Sequence, residues 1–96
     1  MKIYLSRRAE RNFSSILDYL QQNWSEKVRQ AFIEKTIEIF GLLENFPEIG
    51  SVDMPEKQIR GFQITKQIRL IYRIKENQIV VLSFFDVRQN PGKKPG

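Results

Sequence analysis

The residues best suited to chemistry in this chain are cations set into one predicted β-strand, Ile68–Lys75. Arg69 and Arg73 lie four residues apart, so in an extended strand both side chains point to the same face. Lys66 and Lys75 flank them. Guanidinium groups bind carboxylates and phosphates through paired hydrogen bonds. The pattern predicts a docking surface for an acidic partner or target; the alternative is a basic face that only balances acidic helices elsewhere.

Few residues could carry acid–base catalysis. The sequence has no histidine and no cysteine, which excludes the commonest general base, a thiol nucleophile, a disulfide framework and a cysteine-based zinc site. It has no glycine-rich phosphate loop and no carboxylate pair at metal-ligand spacing, so no metal or cofactor is expected. A nuclease built on this chain would have to use Tyr72, Lys66, Glu48 or Glu56. Binding is therefore the predicted chemistry.

The net charge of +5 comes entirely from the second half of the chain. Residues 1–50 hold seven basic and seven acidic residues, whereas residues 51–96 hold nine basic and four acidic ones. This asymmetry favours an acidic or polyanionic partner over a charge that serves solubility alone. No apolar run approaches the length of a membrane span or a signal peptide, so a soluble cytoplasmic protein is expected.

Two amphipathic helices are predicted in the first half of the chain. A short strand at residues 2–6 ends at Ser6, a predicted N-cap, and Ser25 is the predicted N-cap of a second helix that ends near Leu43. Because the connection is short, the helices must be antiparallel neighbours, with Trp24 packed between them at the corner. The predicted apolar stripes are Ala9, Phe13, Ile16, Leu17, Leu20 and Trp24 in the first helix, and Val28, Phe32, Ile33, Thr36, Ile37, Phe40 and Leu42 or Leu43 in the second.

Residues 58–88 have the pattern of a three-stranded antiparallel meander with polar breaks at 65–67 and 76–77, preceded by a polar loop at 50–56. In the strand before the middle one, Phe62 and Ile64 belong on the core side. Arg60 joins them there unless a bulge at Gly61 turns it outward. In the middle strand, alternation places Ile68, Leu70, Tyr72 and Ile74 against the helices and Arg69, Ile71, Arg73 and Lys75 on the other face.

The last predicted strand, residues 79–86, is apolar on both faces. Its second face carries Val80, Leu82 and Phe84, which the helical hairpin cannot reach if the strand alternates regularly. We therefore expect these three side chains to be covered by the C-terminal tail, by a second copy of the chain, or by a segment of a partner.

The predicted element order is β-α-α-β-β-β in one domain spanning residues 1–96. One sheet packs a single face on the helical hairpin, which is an α+β fold of two layers with a small, mostly antiparallel sheet. Residues 89–96, with two Pro-Gly-type breaks and two lysines, are predicted to form an extended, flexible tail.

Several groups of residues resemble the RelE/ParE superfamily of toxins from bacterial toxin–antitoxin modules, and the ParE (plasmid-stabilisation) branch more closely than the RelE branch. The resemblance covers residues 3–93 and is most specific at 60–62, 69–74 and 85–91. The weaker matches in the helical half are Ala9, Ile16, Tyr19, Trp24, Ala31, Phe32, Leu43, Phe46, Pro47 and Gly50. The family implies the fold predicted above.

The resemblance also implies partners. A ParD-like antitoxin with an acidic segment would wrap the toxin with a helix and an extended segment in a hetero-oligomer. The residues expected to meet the antitoxin or the target are Arg60, Lys66, Arg69, Arg73, Lys75, Arg88, Val80, Leu82 and Phe84. No catalytic residue is expected among them.

Activity divides within this superfamily. ParE-like toxins poison DNA gyrase by binding, whereas RelE-like toxins cut messenger RNA in the ribosome with an acid or base near the C-terminus. No histidine or aromatic residue follows Arg88, which favours gyrase as the target. A RelE-like endoribonuclease is the alternative, and an inactive toxin that still binds an antitoxin is a third interpretation.

Overall fold

The computed structural model describes residues 1–86 and shows one sheet with a helical hairpin on one face. The strands lie in the order β1-β5-β4-β3-β2, with β1 parallel to β5 and the other pairs antiparallel. The elements are β1 (Lys2–Leu5), α1 (Arg7–Asn23), α2 (Glu26–Asn45), β2 (Ser51–Met54), a 3-10 turn (Pro55–Lys57), β3 (Ile59–Gln63), β4 (Ile68–Lys75) and β5 (Gln78–Asp86). The predicted two-layer α+β fold is confirmed.

Both helices begin at the predicted serine caps. The hydroxyl of Ser6 accepts a hydrogen bond from the N–H of Ala9 at 3.0 Å, and that of Ser25 accepts one from Val28 at 3.1 Å. The buried helical residues are Ala9, Ile16 and Leu20 in α1 and Phe32, Thr36, Ile39 and Leu43 in α2. Neither helix of residues 1–86 has the length and hydrophobicity that a bilayer-spanning segment needs.

Three residues of the predicted apolar stripes are instead exposed: Trp24, Val28, which is 39% exposed at the start of α2, and Ile37. Trp24 is 62% exposed, because α1 ends at Asn23 and the non-helical backbone of Trp24 takes its side chain out of the line of the stripe. Ile37 is 64% exposed. The buried line of α2 passes through Ile39, which lies seven residues after Phe32 and so returns to the same face after two turns. The predictions that Trp24 packs between the helices and that Val28 and Ile37 lie on the buried stripe are wrong.

The meander of β3, β4 and β5 is confirmed, and the structure adds β2 at its edge. Residues 51–54 were predicted to belong to a polar loop, but they pair with β3. All four are exposed, so this strand has no buried face and lacks the alternating apolar pattern that identifies strands from sequence. The sheet therefore has five strands where four were predicted.

The two faces of β4 are as predicted. Ile68, Leu70 and Tyr72 are fully buried against the helices, while Arg73 and Lys75 are exposed on the opposite side. β3 and β4 pair without a register shift, so Arg60 lies opposite Tyr72 on the core side and no bulge at Gly61 turns it outward.

A β-bulge interrupts β5 at Leu82, which has no partner in β4 between Val81 and Ser83. The side chain of Ser6, the N-cap of α1, and that of Asn12 in α1 hold the bulge in place. The hydroxyl of Ser6 donates to the carbonyl of Leu82 at 3.0 Å, and the side-chain oxygen of Asn12 accepts from the N–H of Phe84 at 3.1 Å. The extra residue shifts the alternation of the strand by one position.

The bulge moves Phe84 into the core. Its side chain is 4% exposed, and its ring centroid lies 5.2 Å from that of Phe13. The prediction that Phe84 shares an uncovered face with Val80 is therefore wrong, because regular alternation stops at Leu82. The core-facing residues of β5 are Ile79, Val81, Phe84 and Asp86, and those on the opposite face are Val80, Ser83 and Phe85.

Candidate docking site on the outer sheet face

The face of the sheet turned away from α1 and α2, called here the outer sheet face, mixes cations with apolar side chains. The strand register places these residues on it: Tyr4, Ile59, Gln63, Arg69, Ile71, Arg73, Lys75, Val80, Ser83 and Phe85. Such a mixture is typical of surfaces that bind protein partners, where apolar contacts are combined with arginine.

Arg73 lies at the centre of a row that crosses four strands. Its direct neighbours are Ile59 on β3 and Val80 on β5, and Val80 in turn lies opposite Tyr4 on β1. Arg73 is exposed, and within residues 1–86 its side chain makes no hydrogen bond or ion pair. The result is a free guanidinium surrounded by apolar side chains, which suits a carboxylate carried on an apolar partner segment.

Arg69 lies on the same face but is held by the chain's own residues. Its Nη2 donates to Ser51 Oγ at 2.8 Å and to Asp53 Oδ1 at 3.0 Å, and its Nη1 lies 3.4 Å from Gln63 Oε1. The side chain thus crosses β3 to reach β2. The predicted outward direction of Arg69 is correct, but its guanidinium is not free in the way that Arg73 is.

Gly61 makes this crossing possible. Its Cα lies on β3 between Arg69 and the edge strand, and a methyl group at this position would overlap the guanidinium of Arg69. Only glycine leaves the space in which the arginine lies flat across the sheet.

Arg60 has a different role from the other arginines. Its Nη1 donates to the carbonyl oxygens of Glu48 at 3.2 Å and Gly50 at 3.0 Å, on the core side of the sheet. Its Nε is buried and has no hydrogen-bond partner within the part of the chain that the structure describes. Arg60 therefore fastens the segment after α2 and does not belong to the outer sheet face.

The two lysines that flank the arginines lie too far apart to act together. Lys66 is exposed in the turn between β3 and β4, and Lys75 is exposed at the end of β4. A strand of this length separates them by roughly 25 Å. Lys75 adjoins the row that contains Arg73, whereas Lys66 lies at the Arg69 end.

Tyr72, the tyrosine weighed as a proton-transfer group, is fully buried. Its hydroxyl donates to the carbonyl of Pro47 at 2.7 Å and accepts from the N–H of Gly50 at 3.0 Å. Burial raises the pKa of the Tyr72 phenol; the Gly50 hydrogen bond and the nearby Arg60 act in the opposite direction. These contacts give the phenol a structural role, in agreement with its predicted place on the apolar face.

Two apolar clefts lie on the helical side, where the sequence predicted only core. One, of about 310 Å³, is lined by Leu20, Val28 and Phe32 together with Ile68 and neighbouring residues. The other, of about 210 Å³, lies between β1 and α2 and includes Ile33, Ile37 and Phe40. The sequence did contain a signal for these exposed apolar surfaces, because the predicted stripe of α2 held more apolar residues than one helix face can bury.

Of the remaining predicted contact residues, Val80 and Leu82 are partly buried, Val80 on the outer sheet face and Leu82 at the bulge. Arg88 and the tail at 89–96 lie outside the described residues. Within residues 1–86, no group of three or more acidic side chains could hold a metal ion.

The sequence matches the family model described as the ParE toxin of the type II toxin–antitoxin system parDE over residues 3–91. A search of curated protein sequences gives no significant match.

Solved structures share the fold at low sequence identity. The chromosomal ParDE toxin–antitoxin system from P. aeruginosa matches with a TM-score of 0.73 and 16% identity, over 90% of this chain and 95% of that chain. A YoeB/ParE toxin from Agrobacterium tumefaciens matches with a TM-score of 0.64 and 14% identity, over 90% and 98%. A heterotetrameric YoeB–YefM complex from Staphylococcus aureus matches with a TM-score of 0.60 and 18% identity, over 88% and 94%.

Proposed function

Because the chain belongs to the ParE toxin family of type II toxin–antitoxin systems, we propose that it inhibits DNA gyrase by binding and is neutralised by a cognate antitoxin. The observation that carries this proposal is the outer sheet face, where the free guanidinium of Arg73 stands among apolar side chains. A surface of this kind supports binding to a protein, and a cytoplasmic site of action follows from the proposed target.

The antitoxin is proposed to be ParD-like and to contribute an acidic segment. Two of the structures with this fold are toxin–antitoxin assemblies, the ParDE system from P. aeruginosa and the YoeB–YefM complex from Staphylococcus aureus. For this chain we place antitoxin carboxylates at Arg73 and Lys75, with apolar antitoxin residues against Val80 and Tyr4. The net charge of +5 favours an acidic partner of this type.

A RelE-like endoribonuclease remains the competing function. It would need a group that transfers a proton to or from RNA, and the hydroxyl of Tyr72 is held by backbone groups of Pro47 and Gly50 inside the protein. This arrangement favours the binding mechanism over the nuclease.

Purified gyrase provides the direct test. We expect the chain to inhibit supercoiling of relaxed plasmid and to increase the amount of cleaved DNA trapped by gyrase. The Arg73→Glu variant should require a higher concentration for the same effect, whereas Arg11→Glu, an equal charge change on the exposed side of α1, should not.

Gyrase that stays active at all toxin concentrations would overturn the proposal. Cells induced for the toxin separate the competing function: cleavage of messenger RNA at ribosomal A sites, mapped by primer extension, would favour the endoribonuclease. Absence of both effects, together with normal growth, would favour an inactive toxin.

A further inference from the structure

We propose that Asp53 occupies the guanidinium of Arg69 as an internal substitute for a partner's carboxylate, so that an acidic partner segment must displace Asp53 to bind there. The inference rests on the proposed function in so far as the antitoxin supplies this segment. On the outer sheet face, the position at Arg73 is then open to a partner's carboxylate, whereas the position at Arg69 is closed because Asp53 binds its guanidinium.

The closed position has the geometry of a ligand site. Arg69 Nη2 reaches the carboxylate of Asp53 at 3.0 Å, the contact that a guanidinium makes with an acidic partner, and it also donates to the hydroxyl of Ser51 at 2.8 Å. The side chains of Arg69 and Asp53 are 31% and 33% exposed, so an external carboxylate can approach the pair from solvent. Ion pairs with this exposure are weak enough to exchange.

The strand that supplies Asp53 is also easily loosened. β2 is an edge strand of four exposed residues. Its register with β3 shifts between Val52 and Met54, which leaves Asp53 without a ladder partner at a bulge. Release of Asp53 from Arg69 therefore breaks no ladder pair and uncovers no buried side chain.

The observed contact indicates the chemistry of the displacing group. Arg69 already accommodates a carboxylate. Arg73 lies four residues further along the same strand face, about 13 Å away. The surface thus fits two acidic side chains about 13 Å apart on one protein segment, and the occupant to which the geometry points is an acidic peptide.

The test compares four full-length variants in binding to poly-L-glutamate at low salt, followed by fluorescence anisotropy. Asp53→Asn keeps the shape of the side chain and removes its charge, so we expect binding to tighten about two- to fivefold, the factor for a partly exposed ion pair. Glu56→Gln is the matched control, because it removes the same charge from an exposed acid beside β2. In an Arg69→Gln background, Asp53→Asn should have no effect.

Three results would overturn the inference. Equal gains in affinity for Asp53→Asn and Glu56→Gln would show that the overall charge, and not the pair with Arg69, controls binding. A gain from Asp53→Asn that persists in the Arg69→Gln background would show that Arg69 is not part of the site. If Asp53→Asn increased the affinity for single-stranded oligothymidine more than the affinity for poly-L-glutamate, the proposal that the site binds a carboxylate would be contradicted. Circular dichroism of each variant checks the fold. Since gyrase takes no part in this assay, its outcome is independent of the supercoiling test.

Discussion

The hydroxyl of Tyr72 accepts a hydrogen bond from the backbone N–H of Gly50 at 3.0 Å and thereby ties the segment after α2 to the middle of the sheet. The same hydroxyl donates to the carbonyl of Pro47 at 2.7 Å, and Arg60 adds its own hydrogen bond to the carbonyl of Gly50. These contacts fix the path of the chain from α2 into β2, the strand that supplies Asp53.

Tyr72→Phe should lower the free energy of unfolding by about 1–3 kcal/mol, because it leaves the N–H of Gly50 without its partner in a buried position. Urea denaturation measures the change. Tyr4→Phe is the matched control, since Tyr4 is 46% exposed and makes no hydrogen bond through its hydroxyl within the described residues. A loss at Tyr72 no greater than that at Tyr4 would contradict the structural role of the hydroxyl.

The raised pKa of Tyr72 predicts a pH dependence of stability. Burial keeps the phenol protonated in the folded state at pH values where the unfolded chain, with a pKa near 10.0, already ionises. The folded state then binds more protons than the unfolded state, so its stability falls as the pH rises above 10. Urea denaturation between pH 9 and 11 should show a steeper fall for the wild-type protein than for Tyr72→Phe; parallel curves would count against the cause given.

Substitution by alanine should destabilise the protein more at Gly50 than at Gly61. At Gly50 a Cβ would lie 2.7 Å from the carbonyl oxygen of Gly61, a backbone atom that cannot move aside. Gly50→Ala should therefore cost about 1–3 kcal/mol through overpacking. At Gly61 the obstructing group is the mobile end of Arg69. Gly61→Ala should cost less than about 1 kcal/mol, since it displaces only the partly exposed contacts of Arg69 with Ser51, Asp53 and Gln63. Thermal unfolding of both variants tests the order, and a larger loss at Gly61 would contradict it.

The sequence predicted those elements whose burial is regular. Alternation placed Leu70, Tyr72 and Arg73 on their correct faces, because β4 pairs with β3 without interruption and has a fully buried side. Ser6 and Ser25 marked the starts of both helices, because capping is a local interaction between a side chain and the backbone a few residues away.

Long-range contacts decided the features that the sequence did not predict. The bulge at Leu82 depends on Ser6, which is 76 positions away in the chain. β2 pairs with β3, and the ion pair between Arg69 and Asp53 joins residues 16 positions apart, so no local pattern in the exposed residues 51–54 indicates the strand. For the same reason sequence alone treated Arg69 and Arg73 as equivalent, although of the two only Arg69 pairs with a carboxylate of the chain within residues 1–86.

The bulge predicts opposite consequences for neighbouring phenylalanines of β5. Phe84 is buried against Phe13, so Phe84→Ala should cost about 3–5 kcal/mol. Phe85 lies on the outer sheet face opposite Arg69, so Phe85→Ala should cost clearly less. Chemical denaturation of the pair measures the difference. Regular alternation without the bulge would give the reverse order, with Phe85 as the core residue.

Charge reversal at Arg73 should weaken partner binding without unfolding the protein. Its side chain is exposed and makes no internal hydrogen bond or ion pair in residues 1–86, so Arg73→Glu removes only an external contact and should shift the midpoint of urea unfolding very little. A carboxylate at this position repels the acidic segment proposed for the antitoxin, and we expect affinity to fall at least tenfold.

Arg69→Glu should differ from Arg73→Glu, because it places two carboxylates together at Asp53 and loosens β2 as well. Amide hydrogen exchange should show lower protection in residues 51–54 for Arg69→Glu alone, while isothermal titration with the antitoxin should show weaker binding for both. Loss of β2 protection in Arg73→Glu, or full antitoxin affinity in that variant, would contradict the separation between a free arginine and one held by the chain itself.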